Sequence, residues 1–269
     1  MAAGPCVFVT GIWKSGNHLA YSALNELGVA GPANGISGHV LYGKYWLAKR
    51  LLRRPWRRGD GVQVGLETDA LVGGRYIARE TRKMRGQIMG GHAAHSAQIE
   101  AVMRDEGVRM ICIRRDPRDI LVSFADWIEG RPDYFLHQVF EGLSREQKVA
   151  RLLKGGRGRG FVLHPFVEVL RRAEGWLTAP DVLQISFEGL VGAHGGGDAG
   201  TQEDVIAALH AHVEAPKPME EVRAENIYGG TRTFNKGRSQ RWRELQDSAL
   251  VEEINAQVGP ELEKWGYAA

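Results

Sequence analysis

Disulfide chemistry has almost nothing to work with in this chain: its 269 residues hold two cysteines, Cys6 and Cys112, both inside apolar runs. They read as reduced thiols of buried strands, the usage of a reducing compartment. No apolar run approaches the roughly 20 residues that a membrane-spanning helix needs. The start, MAAGPCVFVT, lacks a basic stretch followed by an apolar core and a cleavage site, so no secretion signal is expected and the location reads as cytoplasmic. Charge of one sign is scarce too, with 35 Lys and Arg against 32 Asp and Glu and a net charge of +3. That balance suits an anionic ligand and is too weak to argue for nucleic acid. The chain shows no internal repeat, no clear domain boundary and no Cys/His cluster at metal-ligand spacing, so no metal is expected. What is there is an ordinary globular composition, 43% apolar and 25% charged, enough to build one large domain over residues 1–269.

Periodicity predicts an α/β fold: a central, mostly parallel sheet flanked by helices. Residues 6–10 read as a buried strand, and 17–27 as the helix after it, stopped by Gly28. Residues 31–38 read as a glycine-rich loop, 75–85 as a helix, 87–89 as a short strand and 96–105 as a helix. A strand over 108–113 leads to a helix that opens at Pro117, where proline suits the first turn. Beyond it the pattern predicts a flexible basic loop at 154–161, a helix over 161–176 and a strand over 181–186. Then come a low-complexity loop at 192–200 and helices over 205–213 and 248–258. In the stretch 44–58, Lys44, Lys49, Arg50, Arg53, Arg57 and Arg58 interleave with Tyr45, Trp46 and Leu51. That basic amphipathic pattern reads as a solvated helix face, a lid, or a peripheral contact with an anionic membrane surface.

Two segments carry chemistry. The first is VFVTGIWKSGNH, residues 7–18: a strand, a glycine-bounded turn with a lysine, then a helix. Such a helix start presents backbone N–H groups and the positive end of its dipole to an anion. Lys14 adds a point charge, and Ser15 and Asn17 add neutral donors. It is not the triphosphatase loop GxxxxGK[ST], because Lys14 precedes Ser15 and Gly16. The second is IRRDPRDILVSF, residues 113–124, in which Arg115 ends a buried strand and Ser123 follows eight residues later. That spacing lets both reach one phosphate, while Asp116, Arg118 and Asp119 read as helix-start and ion-pair residues. Both segments lie at carboxyl ends of strands, where open α/β sheets bind ligands.

Together these segments resemble the sulfotransferases that use 3′-phosphoadenosine 5′-phosphosulfate (PAPS). In that family a KSG loop after the first strand holds the 5′-phosphosulfate, matched here by WKSGNH with Lys14, Ser15, Gly16, Asn17 and His18. An R-x-P-[RK]-D-x-x-x-S segment holds the 3′-phosphate, matched by Arg115 through Ser123. A C-terminal segment, matched by Phe234-Asn235-Lys236-Gly237 with Trp242, would bring Lys236, Gly237 and Arg238 to the same phosphate. A late [FY]-E-x-L segment matches SFEGL and would lay Phe187 beside the adenine. The resemblance runs from about residue 7 to 267. It departs from the family at Leu19, where a stacking tryptophan is frequent, and at Gly90, where a lysine is frequent.

The resemblance implies a P-loop-like nucleotide-binding core and an in-line transfer of the sulfuryl group to a hydroxyl or amine, leaving adenosine 3′,5′-bisphosphate (PAP). It implies His92 as the base, with His95 as the second candidate in GGHAAHS, and Lys14 as the cation meeting charge on the leaving group. Acceptors of this family range over small molecules, glycans and lipids, and the variable segments at about 31–74 and 134–160 would contact them. Two other readings are open: a P-loop kinase, which needs Gly-Lys-Ser/Thr in that order and a magnesium-binding aspartate, and a non-catalytic nucleotide- or membrane-binding module.

Overall fold

A computed structural model describes residues 4–37, 61–159, 161–228 and 238–268. The basic stretch 44–58, Lys236 and Gly237 lie outside the described residues. At the centre is strand β1 (Val7–Thr10), buried along its whole length. It pairs in parallel with β5 (Gln87–His92) on one side and β6 (Arg109–Arg114) on the other. Strand β2 (Ala30–Ser37) pairs outside β5, and β9 (Val182–Ser186) outside β6, both in parallel. The sheet order is therefore β2-β5-β1-β6-β9, the expected α/β sheet with a parallel core, and β3 (Gly61–Gln63) and β4 (Leu71–Gly73) form a separate antiparallel pair.

Alternation along these strands divides the core. Val7, Val9, Ile111 and Ile113 face helix α1 (Asn17–Glu26) together with Leu19, Leu24, Ile206 and Leu209. Phe8, Met110 and Cys112 face the other way, against Ile77 and Met103 of two further helices, α2 (Gly74–Lys83) and α3 (Ala97–Asp105). A strand covered on both faces reads as a continuous apolar run, which is why VFVT and MICI are legible from sequence. Cys6 and Cys112 are free and buried, and burial pushes both thiols up to about 12.

A third cluster lies around α4 (Pro117–Glu129), α5 (Arg145–Lys154), α6 (Phe166–Thr178) and the C-terminal helix, here α9 (Ser248–Leu262). Side-chain caps set several helix starts: Asp116 before α4, Ser144 with Gln147 in a capping box before α5, and Asp247 before α9.

The structure corrects five expectations. Within the segment 31–38, expected as a loop, residues 31–37 belong to the outer strand β2, and a Cβ on Gly35 would meet the Gly90 carbonyl oxygen at 2.5 Å, so this glycine permits close strand approach. The basic stretch 154–161 is not a loop, and 161–176 is not one helix. Strands β7 (Gly156–Gly158) and β8 (Phe161–Leu163) form an antiparallel pair, and α6 begins only after Pro165. The short strand expected over 87–89 extends to His92, so that histidine ends the strand instead of following it. Helix α8 (Ala199–Val213), preceded by the short helix α7 (Phe187–Leu190), starts inside the supposed low-complexity loop because Asp198 caps it.

Candidate active site

The loop after β1 is folded by close backbone approach. A Cβ on Gly11 would lie 2.5 Å from the Ile113 carbonyl oxygen, and one on Gly16 would lie 2.8 Å from the Phe187 ring. Lys14 has φ 67° and Gly16 φ 109°. A lysine in the left-handed region costs roughly 1–2 kcal/mol, so the turn needs support. Arg115 supplies it, donating from Nη1 to the Lys14 carbonyl at 3.1 Å. Ser15 N–H closes the turn on the Ile12 carbonyl at 3.0 Å.

Several polar atoms here are buried without a partner: Ser15 Oγ, Asn17 Oδ1 and Arg115 Nε. Their residues are 0%, 4% and 4% exposed. Buried polar atoms are normally hydrogen-bonded, and an orphan calls for an explanation. Here it is a concentration of unused polar capacity beside a helix start, the end of a helix that favours an anion. The other end of Asn17 is spent on the fold, since Nδ2 donates to the Gly91 carbonyl at 2.7 Å.

The two histidines diverge. His92 ends β5, and its Nδ1 lies 2.7 Å from the Gly11 carbonyl. A carbonyl only accepts, so Nδ1 carries the proton and the neutral ring's basic lone pair is on Nε2. His95 points into the packing between helices. Its Nε2 lies 3.0 Å from Glu100 Oε2, and its ring stands edge-on to Trp176 at 4.9 Å. Only His92 is attached to the Lys14 loop.

Cations gather around that loop. Burial, then the neighbouring Arg115, Arg241 and Arg131, pull the Lys14 ammonium down to about 8. Its Nζ lies 5.4 Å from the Trp127 ring centroid, within reach of a cation–π attraction. Arg115 donates its second fork nitrogen to the Arg238 carbonyl at 2.8 Å and stacks 4.2 Å above Phe187. Arg238 therefore meets the cluster through its backbone, and its side chain is exposed. Phe187 is 5% exposed and forms the floor beneath Arg115 and Gly16. Ser123 is buried on α4, while His18 is exposed at the first turn of α1.

The supporting residues also take their expected places. Asp116 caps α4 and pairs with Arg118 at 2.8 Å, and Asp119 accepts the Trp242 N–H at 3.0 Å. Burial pushes the Asp119 carboxyl up while Arg115 opposes it. Gly90, where the family often has a lysine, faces Tyr21: a Cβ there would lie 2.2 Å from the tyrosine hydroxyl. In this chain Tyr21 occupies the room that a side chain at that position would need.

Sequence reasoning missed three groups. Arg241 is 2% exposed, pairs with Asp126 and contributes to the field on Lys14. Its only signal was adjacency to Trp242. Glu188 and Tyr267, bonded at 2.7 Å, lie far apart in sequence and carry no motif beyond the glutamate of SFEGL. Glu67 is 1% exposed, its Oε2 has no partner, and burial pushes its carboxyl up to about 7. It follows Gly65, which bridges to Ala93, the residue after His92.

The arrangement can bind a polyanion at fixed cations with a histidine attached to the same loop. Among the described residues, no group of His, Cys, Asp and Glu could hold a metal ion, and no helix is long and apolar enough to cross a membrane.

Solved structures share this fold. The chain is similar to retinol dehydratase in complex with androsterone and the inactive cofactor PAP, with TM-score 0.59 and 15% identity over 96% of this chain and 80% of that one. It is similar to mouse sulfotransferase SULT7A1 complexed with PAP, with TM-score 0.54 and 12% identity over 95% of this chain and 85% of that one. A second retinol dehydratase complex, with retinol and PAP, gives TM-score 0.55 and 16% identity over 98% of this chain and 83% of that one. At these identities the likeness is one of fold. No family model matches the chain, and no curated protein does.

Proposed function

We propose that the protein is a PAPS-dependent sulfotransferase acting on the hydroxyl or amine of a small-molecule acceptor. The observation that carries this reading is the pair of buried, unpaired donors Ser15 Oγ and Arg115 Nε beside Lys14. It is the donor chemistry of a polyanion site, in a fold whose solved neighbours hold PAP. Androsterone and retinol in two of those neighbours support a small-molecule acceptor for this chain, and so do the rings of Trp13, Trp127 and Tyr134 beside the loop.

When bound, PAPS supplies the sulfuryl group. Ser15, Gly16, Asn17 and His18 hold its 5′ end at the start of α1, and Arg115 and Ser123 hold the 3′-phosphate, with Lys236, Gly237 and Arg238 joining them. Arginine suits that role because its planar fork matches phosphate oxygens. His92 takes the acceptor's proton on Nε2, the atom its bond to Gly11 leaves basic. Lys14 meets the negative charge that develops on the leaving phosphate, the kind of electrostatic contribution that is commonly the largest in such steps.

The test is titration calorimetry with PAP, run beside magnesium–ATP and repeated on Arg115→Ala. PAP is expected to bind tightly, magnesium–ATP weakly, and the variant roughly 10²-fold worse, as for truncation of one partner in a buried charged contact. A preference for magnesium–ATP, or no binding of PAP, overturns the reading.

A further inference from the structure

The segment after α9 returns to the carboxyl end of β6, beside the proposed anion site. Arg114 Nη1 donates to the Trp265 carbonyl at 2.7 Å, and Arg118 Nη2 to the Ala268 carbonyl at 3.0 Å. Between them Gly266 sits at φ 81°, where a Cβ would lie 1.9 Å from Arg114 Nη1. Glycine is needed there both for the backbone conformation and for the closeness of the arginine. The residue this turn presents is Tyr267. Its hydroxyl donates to Glu188 Oε2 at 2.7 Å, while Glu188 Oε1 accepts the Asp116 N–H at 3.2 Å. Both carboxylate oxygens of Glu188 are thereby engaged by groups other than Arg115.

That division matters because Arg115 lies between Asp116, which Glu188 holds, and Phe187, whose neighbour is Glu188. Arg115 already has Asp119 Oδ2 at 3.8 Å and keeps its Nε unpartnered. Glu188 acts on its charge as well. A carboxylate oxygen released at this point would turn toward the buried guanidinium and neutralise the charge a phosphate needs. We propose that Tyr267 is a positioning residue of the anion site, which occupies Glu188 and so leaves Arg115 to the ligand's 3′-phosphate. Burial and Glu188 hold the Tyr267 hydroxyl well above its ordinary range, so it remains a donor at any pH the fold tolerates. The inference rests on the proposed function and adds a residue that no motif of the sequence carries.

The experiment compares binding of PAP and of adenosine 5′-monophosphate, which lacks the 3′-phosphate, to the wild type, Tyr267→Phe, Glu188→Gln and the double variant. Tyr267→Phe is expected to lose about tenfold in PAP affinity, the scale of one hydrogen bond to a charged group. Its affinity for the monophosphate should stay within about twofold of wild type. With Glu188→Gln in place there is no carboxylate to release, and adding Tyr267→Phe should change PAP binding little. Equal losses for both nucleotides, no loss at all, or additive effects in the double variant would overturn the proposal. Wild-type protein that binds no PAP would instead sink the proposed function and this inference with it. Retention of the thermal midpoint in Tyr267→Phe checks that folding is intact.

Discussion

On one flank of Lys14, arginine side chains reach backbone carbonyls; on the other, aromatic rings pack on one another. The arginine flank joins distant segments by directed bonds: Arg115 to Lys14 and Arg238, Arg114 to Trp265, Arg118 to Ala268. The ring flank runs from Trp127 to Tyr134, Phe135 and Phe161, with centroids 5.0, 5.1 and 5.1 Å apart. Those separations are ordinary contact for rings and fix no single geometry. Directed bonds suit a ligand whose phosphates never vary. Ring packing suits an acceptor whose shape does. Lys14 belongs to both, bonded through its carbonyl to one flank and resting its ammonium by Trp127 on the other.

The sharpest way to separate the two roles is His92→Ala. Turnover should fall roughly 10²–10⁴-fold, the range for loss of a positioned base, while PAP binding by calorimetry stays unchanged. His95→Ala should do the opposite, lowering the unfolding midpoint through its lost contact with Glu100 and Trp176 and sparing turnover. Full activity in His92→Ala would move the proton elsewhere and dissolve the division.

Glu67, whose charge acts on the Tyr134 hydroxyl, tests whether the ring flank is as dry as its packing implies. Burial raises its carboxyl from 4.5 to about 7, so the folded state holds a proton that the unfolded chain has released across that window. Stability therefore falls as pH rises from about 4.5 to 7 and stays lower above it. Glu67→Gln should remove the decline, gaining on the order of 3 kcal/mol over wild type at pH 8 and little at pH 4.5. Parallel denaturation curves at both pH values would mean that Glu67 finds a donor and that this flank is polar.

The smallest effect concerns Lys14 itself. With its ammonium pulled down to about 8, the charged form is lost as pH rises through that value. Turnover should then drop about tenfold per pH unit on the alkaline side. Folding stability should instead rise between about 8 and 10.5, where only the unfolded chain still binds the proton. Lys14→Arg, which keeps its charge throughout, should flatten the alkaline limb. A wild-type profile flat to pH 10 would place no catalytic demand on this ammonium.

Local pattern and tertiary structure contributed differently to these two flanks. The continuous apolar runs VFVT and MICI identified the buried strands, the Asp116-Pro117 start identified α4, and the KSG turn identified the loop, because each is encoded by neighbours in sequence. The same is true of Arg115 and Ser123, one helix start apart. Glycine-rich stretches misled. Residues 31–38 look like a loop by composition, yet Gly31 and Gly35 serve close packing of one strand on another, which composition cannot distinguish from flexibility. The hairpin of β7 and β8 was hidden for a related reason, since its pairing depends on a partner strand rather than on an alternating pattern of its own.

By itself, the sequence determined the kind of fold, the glycine-bounded turn after the first strand and the pair of candidate histidines, since backbone propensity, burial period and motif spacing are local properties. The tertiary structure set His92 apart from His95, by giving one the Gly11 carbonyl and the other Glu100 and Trp176. It also brought Arg241 into the field of Lys14 and fastened Tyr267 to Glu188, 79 residues away in the chain. Such contacts have no sequence period, because a hydrogen bond across the fold is set by where the chain returns and not by what stands beside it.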